Sequence, residues 1–176
     1  MTVMRRTPLP TGAATGRLIL AEQVVPATRA ALQSSSGNHR SHEGLVFWLG
    51  RNVGPDTFVL AAAIPSTDNR VDGVFASEQA VLATTQAARK VGLGLIAQVH
   101  SHPGGDTRHS DGDDRLILMP YEGMFSLVVA NYGHGSLLPS EGAGLHQFQN
   151  GRWVRVTNVD EALTVAPAVV TIGPIW

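Results

Sequence analysis

His100 and His102 stand two residues apart in Gln98-Val99-His100-Ser101-His102-Pro103, and Asp113 follows in Ser110-Asp111-Gly112-Asp113. Side chains alternate along a strand, so both imidazoles point to one face and Ser101 to the other. Spaced about 6–7 Å apart along that strand, the two rings can turn a nitrogen toward one cation. Pro103 ends the strand, and Gly104-Gly105 lets the chain double back. Asp113 then falls one turn inside a helix whose first residue is Ser110. Two neutral histidines and one carboxylate leave a fourth position open for water, the arrangement of a catalytic zinc. The summed charge of such a site is +1, which lowers the pKa of a bound water toward about 7.

Hydrolysis also needs a proton acceptor, and a histidine engaged by metal cannot serve. Glu43 stands immediately before the apolar run Gly44–Leu49, at a strand mouth where burial would poise it for proton transfer. Glu22, Glu78 and Glu122 have no comparable placement. Ser110-x-x-Asp113 is also a capping-box spacing, and a cap there would fix both residues at the site. Asp111 and Asp114 are rival ligands that read better as charges favoured at a helix start. His109 reads as a loop residue and a weak candidate for a contact to substrate or to the residues that support the metal ligands. His39 and His42 read as solvated, and Trp48 and Trp153 as core.

The elements that must position these groups form a mixed pattern. Strands are expected over Arg17–Leu20, Gly44–Leu49, Thr57–Ile64, Leu93–His102 and Met124–Asn131, with a hairpin through Gly54-Pro55. Helices are expected over Pro26–Gln33, broken by Ser34-Ser35-Ser36-Gly37-Asn38, from Ser77 to about Val91, and over Ser110–Leu118. Asn150-Gly151 between Leu145–Phe148 and Trp153–Val156 is the strongest hairpin signal in the chain. This is an α/β chain of α+β type, a single domain with a mixed central sheet flanked by helices. Residues 1–16 read as a flexible arm, 17–156 as the catalytic domain, and 157–176 as an apolar tail whose packing is open; Trp176 hints at burial.

The pattern His100-x-His102-Pro103, a loop to His109, then Ser110-x-x-Asp113, with Glu43 upstream in Glu43-Gly44-Leu45-Val46-Phe47-Trp48-Leu49-Gly50, resembles the JAMM (MPN-plus) metalloproteases over most of the chain. The resemblance implies a cytidine-deaminase-like, MPN architecture. It implies that His100, His102 and Asp113 bind one catalytic Zn²⁺ and that Glu43 handles protons. Ser110 would hydrogen-bond the oxyanion or orient the water. The implied reaction is hydrolysis after the C-terminal glycine of a ubiquitin-like protein, in deconjugation or precursor processing. Candidate partners are that protein or its conjugates, with E1- or E2-like enzymes of the same pathway. Many family members carry an aromatic where this chain has His109, and the insertions of eukaryotic relatives are missing, so it looks like a compact bacterial-type member. Alternatives are a non-catalytic scaffold of the same fold, or a DNA-associated metalloprotein similar to RadC relatives.

Composition narrows the field further. The 176 residues carry 13 Lys+Arg against 14 Asp+Glu and no cysteine. Any metal must therefore be held by nitrogen and oxygen, and disulfides and a cysteine nucleophile are excluded. The near-zero charge offers no field for nucleic acid, so no nucleic-acid partner is expected. No apolar run of about 18 residues exists, so no membrane partner is expected. Arg5 and Arg6 are followed by Thr7-Pro8-Leu9-Pro10, unlike a signal peptide, and a cytoplasmic location is expected.

Overall fold

The computed structural model describes residues 7–34, 42–71, 73–116 and 120–167. In chain order these form β1 (Thr11–Gly12), β2 (Arg17–Ala21), α1 (Val24–Ser34), β3 (Leu45–Val53), β4 (Asp56–Ala63), β5 (Thr67–Arg70), β6 (Gly73–Ala76), α2 (Glu78–Lys90) and β7 (Gly94–Ser101). Beyond the loop that carries Asp113 come β8 (Phe125–Val129), β9 (Gly144–Gln149), β10 (Arg152–Val156), α3 (Val159–Ala162) and β11 (Leu163–Ala166). Nine strands make one sheet in the order β1-β10-β9-β8-β7-β3-β4-β2-β11, and β5 pairs with β6 apart from it. The sheet is mixed: β3 runs antiparallel to β4 and β7, whereas β8 runs parallel to β7.

Alternation along β3 divides the core in two. Val46 and Trp48 face α1, where they pack with Leu32 of that helix, while Leu45, Phe47 and Leu49 pack on the other face with Ala88 of α2. The unbroken apolar run of β3 is thus the signature of a strand covered on both sides. The Trp48 indole N–H donates to Thr28 Oγ1 at 2.8 Å, which satisfies a buried polar atom and pins α1 to the sheet. Ser77 caps α2 by accepting from the Ala80 N–H at 3.2 Å. Asn150 and Gly151 both take positive φ, 51° and 76°, as a tight turn between β9 and β10 requires.

Several expectations are corrected. Thr11–Gly12, read as part of a flexible arm, pairs in parallel with Arg155–Val156 and forms one sheet edge. Leu163–Ala166, in the tail left open, pairs in parallel with Leu18–Ala21 and forms the other edge. The β5–β6 hairpin has no strand signal in sequence, because Thr67–Arg70 is wholly polar and each strand is only four residues long. The helix expected over Ser110–Leu118 is a single 3-10 turn, Asp113–Arg115. Gly112 weakens helix propensity there, and the Ser110 and Asp113 side chains compete for the backbone. Residues 117 and 118 of that span, the breaker at 35–38, His39, Pro174 and Trp176 lie outside the described residues.

Candidate metal centre

Strand β7 enters the middle of the sheet between β3 and β8, and its C-terminal end carries His100 and leads directly into His102. His100 is paired in register with Leu45 on one side and Val128 on the other, so it is wholly buried. His102 lies just past the strand end, held there by its N–H donating to the Val129 carbonyl at 2.9 Å. Beyond it the chain reverses, and Asp113 returns at the 3-10 turn with little exposure.

The three side chains converge on one point. His100 Nε2 and His102 Nε2 are 3.2 Å apart, and Asp113 Oδ2 is 3.0 Å from His102 Nε2 and 3.4 Å from His100 Nε2. A tetrahedral zinc with bonds of about 2.0–2.1 Å has ligand-to-ligand edges of about 3.3–3.4 Å. The observed triangle is that size to within a few tenths of an ångström. His102 Nδ1–H donates to the Asp106 carbonyl at 2.8 Å, which leaves Nε2 as a lone pair aimed at the shared point. Among the described residues these three form a group that could hold a metal ion, and their donor set fits one.

The electrostatics agree. Burial pushes the His100 pKa down to about 4, against the opposing pull of Asp113, so this ring is neutral at physiological pH as a metal ligand must be. Burial also opposes charge on His102, but the hydrogen bond and charge of Asp113 outweigh it and raise its pKa. Burial would raise Asp113, yet the two imidazoles beside it hold its carboxyl well below the usual carboxylate range. A carboxylate that stays ionised beside a neutral imidazole is ready for a cation.

Glu43 is 5% exposed, and its charge adds to the upward pull on His102, which puts it within electrostatic reach of the ligand set. Its neighbour Gly44 is stitched to β7: the Gly44 N–H donates to Ser101 Oγ at 2.9 Å and the Ser101 N–H to the Gly44 carbonyl at 3.0 Å. Ser101, on the face opposite the ligands, thereby anchors the Glu43 entry point. Ser110 N–H donates to Asp113 Oδ2 at 2.6 Å, and Asp113 N–H donates back to Ser110 Oγ at 3.1 Å. The capping spacing and the site therefore coincide. Asp111 stays at the surface side of this turn and supplies no atom to the cluster, nor does Asp114.

His109 is the correction in the site. Its side chain is fully buried beneath the turn and is not placed to bind substrate, because its ring is stacked on His146 with centroids 4.1 Å apart and meets Trp153 edge-on at 5.1 Å. Gln98, Ser126 and His146, which sequence reasoning passed over, surround it. One signal was available: Gln98 shares the His100 face of β7, and Ser126 is the single polar residue within Phe125–Val129. His42 is half-buried beside Glu43, and Trp48 and Trp153 are core.

An α+β domain whose central strand ends in two histidines facing a returning aspartate defines a metal-binding hydrolase-like scaffold. Residues 38–151 match the model of the prokaryotic homologs of the JAB domain, well over half the chain. The chain belongs to this JAB/MPN-type family. It is 34% identical over 103 residues to the probable metalloprotease y4jG of Sinorhizobium fredii (strain NBRC 101917 / NGR234), a match covering 55% of this chain and 62% of that relative's length. It shares its fold with the solution structure of protein DSY2949 from Desulfitobacterium hafniense, at TM-score 0.64 and 18% identity over 85% of this chain and 93% of the other. A solution structure of a protein from Salinibacter ruber superposes at TM-score 0.56, also 18% identical, over 80% of this chain and 90% of the other. No helix among the described residues is long and apolar enough to cross a membrane.

Proposed function

We propose that this chain is a zinc metallopeptidase that hydrolyses the bond after the C-terminal glycine of a ubiquitin-like protein, in deconjugation or in precursor processing. The observation that carries the metallopeptidase reading is the triangle of His100 Nε2, His102 Nε2 and Asp113 Oδ2, with edges of 3.0–3.4 Å, beside the buried Glu43. When bound, zinc supplies Lewis acidity and a nucleophilic water at neutral pH. The chain's own residues do the rest. Glu43 accepts a proton from the attacking water and returns it to the leaving amine. The Ser110 hydroxyl, fixed by the Asp113 N–H, donates to the oxygen that gains charge as the carbonyl is attacked.

The substrate class rests on the family resemblance, and one feature supports an extended peptide as substrate. The β5–β6 ribbon is joined to the site through Tyr132, whose N–H donates to the His102 carbonyl at 2.7 Å and whose hydroxyl donates to the Val71 carbonyl at 3.3 Å. An extended glycine-ended tail would add to a strand edge by main-chain hydrogen bonds. The partners would be a ubiquitin-like protein or its conjugates, with E1- or E2-like enzymes of the same pathway, in the cytoplasm. Retained ligands and Glu43 speak against a scaffold without activity.

The test is cleavage of a fusion between a ubiquitin-fold protein and a reporter by zinc-loaded protein. Cleavage after the terminal glycine, lost on chelation, is the expected result. A metal-loaded protein that cleaves none of a panel of ubiquitin-fold fusions would remove the substrate assignment, and a protein that binds no divalent metal would remove the metallopeptidase.

A further inference from the structure

Between Pro103 and Gly112 the chain forms no helix or strand, yet it must hold Ser110 and Asp113 to a fraction of an ångström. Beneath it runs a second polar chain that the proposed reaction does not use. Gln98 Nε2 donates to Ser126 Oγ at 3.1 Å, Ser126 Oγ lies 2.8 Å from His109 Nε2, and His109 Nδ1 lies 3.2 Å from Asp114 Oδ1. The donors run one way along it: amide to hydroxyl, hydroxyl to imidazole Nε2, imidazole Nδ1–H to carboxylate. The His109 backbone N–H also donates to His146 Nε2 at 3.4 Å. Gln98, Ser126 and His146 sit in one register row across β7, β8 and β9, so this anchor is the rigid centre of the sheet.

Sequence adjacency gives the chain its meaning. His109 immediately precedes Ser110, and Asp114 immediately follows Asp113. The two residues that flank the Ser110…Asp113 unit are therefore bonded to each other and, through His109, to the sheet.

We propose that the chain Gln98–Ser126–His109–Asp114, buried except at Asp114, is a positioning device that clamps the Ser110–Asp113 turn to the sheet and so sets the carboxylate of Asp113 at the metal centre; this rests on the metallopeptidase reading. Asp114, His109 and Ser126 stand in the order of a hydrolytic triad, but His109 and Ser126 are both 0% exposed, and no acyl group can reach the hydroxyl. Their work is to hold, and the residues they hold carry the chemistry. Partners that orient a ligand are worth about 10–100-fold in metal affinity.

The experiment uses the full chain with three substitutions, Asp114→Ala, Ser126→Ala and His109→Phe, the last keeping a ring against His146 and Trp153. Zn²⁺ affinity is read by chelator competition, and amide hydrogen exchange of Ser110 and Asp113 is read on the metal-free protein. Each variant is expected to bind Zn²⁺ about 10–100-fold more weakly and to exchange the Ser110 and Asp113 amides faster, with Val99 in β7 unchanged. Trp48→Phe, which loosens the core elsewhere, should leave both readouts at the parental level. Parental affinity, or parental exchange, in Asp114→Ala and Ser126→Ala overturns the proposal, and these two decide it if His109→Phe does not fold. If the parental chain binds no Zn²⁺, the metal-centre reading fails, while the exchange arm still decides whether the clamp exists.

Discussion

Ser110 and Asp113 are bonded to each other twice, backbone to side chain in both directions, at 2.6 and 3.1 Å. The second bond uses the Ser110 hydroxyl as an acceptor, and a hydroxyl that accepts one bond can still donate another. Ser110→Ala should therefore cost about 10²–10³ in kcat, the usual price of losing one oxyanion donor. The remaining Ser110 N–H bond should keep Zn²⁺ affinity within about tenfold of the parent. Steady-state kinetics beside a metal titration checks the split; an equal loss of both would make Ser110 a support for Asp113 alone.

Glu43 is buried within electrostatic reach of His102 without belonging to the converging set. Glu43→Gln keeps its shape and removes its basicity. Turnover should fall by at least about 10²–10⁴ with metal content unchanged. Full activity in that variant would refute its role.

Metal binding should be visible as stability. A metal that binds only the folded chain at 100 times its Kd adds about 2.7 kcal/mol, a rise of about 5–10 °C in Tm for a domain of this size. Scanning calorimetry with Zn²⁺ should show that rise in the parent and its loss in Asp113→Ala. An equal rise in both would place the metal elsewhere.

Gly144 opens β9 directly under the loop that carries the site. A Cβ at this position would collide with the Thr107 carbonyl, which the loop cannot withdraw because Thr107 is buried and its hydroxyl donates to the Gly142 carbonyl at 3.1 Å. Gly144→Ala should destabilise the protein by about 1–3 kcal/mol and weaken Zn²⁺ binding as the loop shifts. Urea unfolding with a metal titration measures both, and parental values for each would show the loop to be freer than its packing implies.

The acid side of the stability profile has a defined sign. Burial, reinforced by the neighbouring His109, holds His146 well below the ordinary histidine value of 6.5. As pH falls below about 6.5 the unfolded chain takes up a proton that the folded chain refuses. The stability is fully present above that pH and is lost on acidification, by at most about 1.4 kcal/mol per pH unit for each such histidine. His100 acts in the same direction down to about pH 4, and His102, whose pKa is raised, acts in the other. The metal-free parent should lose more stability between pH 7 and 5 than His146→Phe does. Parallel profiles by urea unfolding would remove His146 from the account.

The legibility of this chain in sequence varied with the range of the interactions. Elements with local codes were plain: the apolar run of β3, the Ser77 cap and Gly92 stop of α2, and Asn150-Gly151 each depend on residues a few positions apart. The edge strands β1 and β11 were not, because Thr11–Gly12 and Leu163–Ala166 are too short to carry a strand pattern by themselves and are paired only with the distant Arg155–Val156 and Leu18–Ala21. The candidate metal ligands were legible because their signals are also local. Strand alternation alone puts His100 and His102 on one face, and the Ser110…Asp113 spacing alone makes their reciprocal bonds.

The sequence by itself determined that any metal here is held by nitrogen and oxygen, since the chain has no cysteine, and it put His100, His102 and Asp113 forward as the candidate ligands. Only the tertiary structure decided where His109 goes. Nothing near it in the chain distinguishes a loop histidine at the surface from one stacked on His146 and bonded to Ser126, because those partners come from β9 and β8, 37 and 17 residues away. Burial of a polar ring is tolerated only where distant partners satisfy it, and no local pattern records partners that the fold alone brings together.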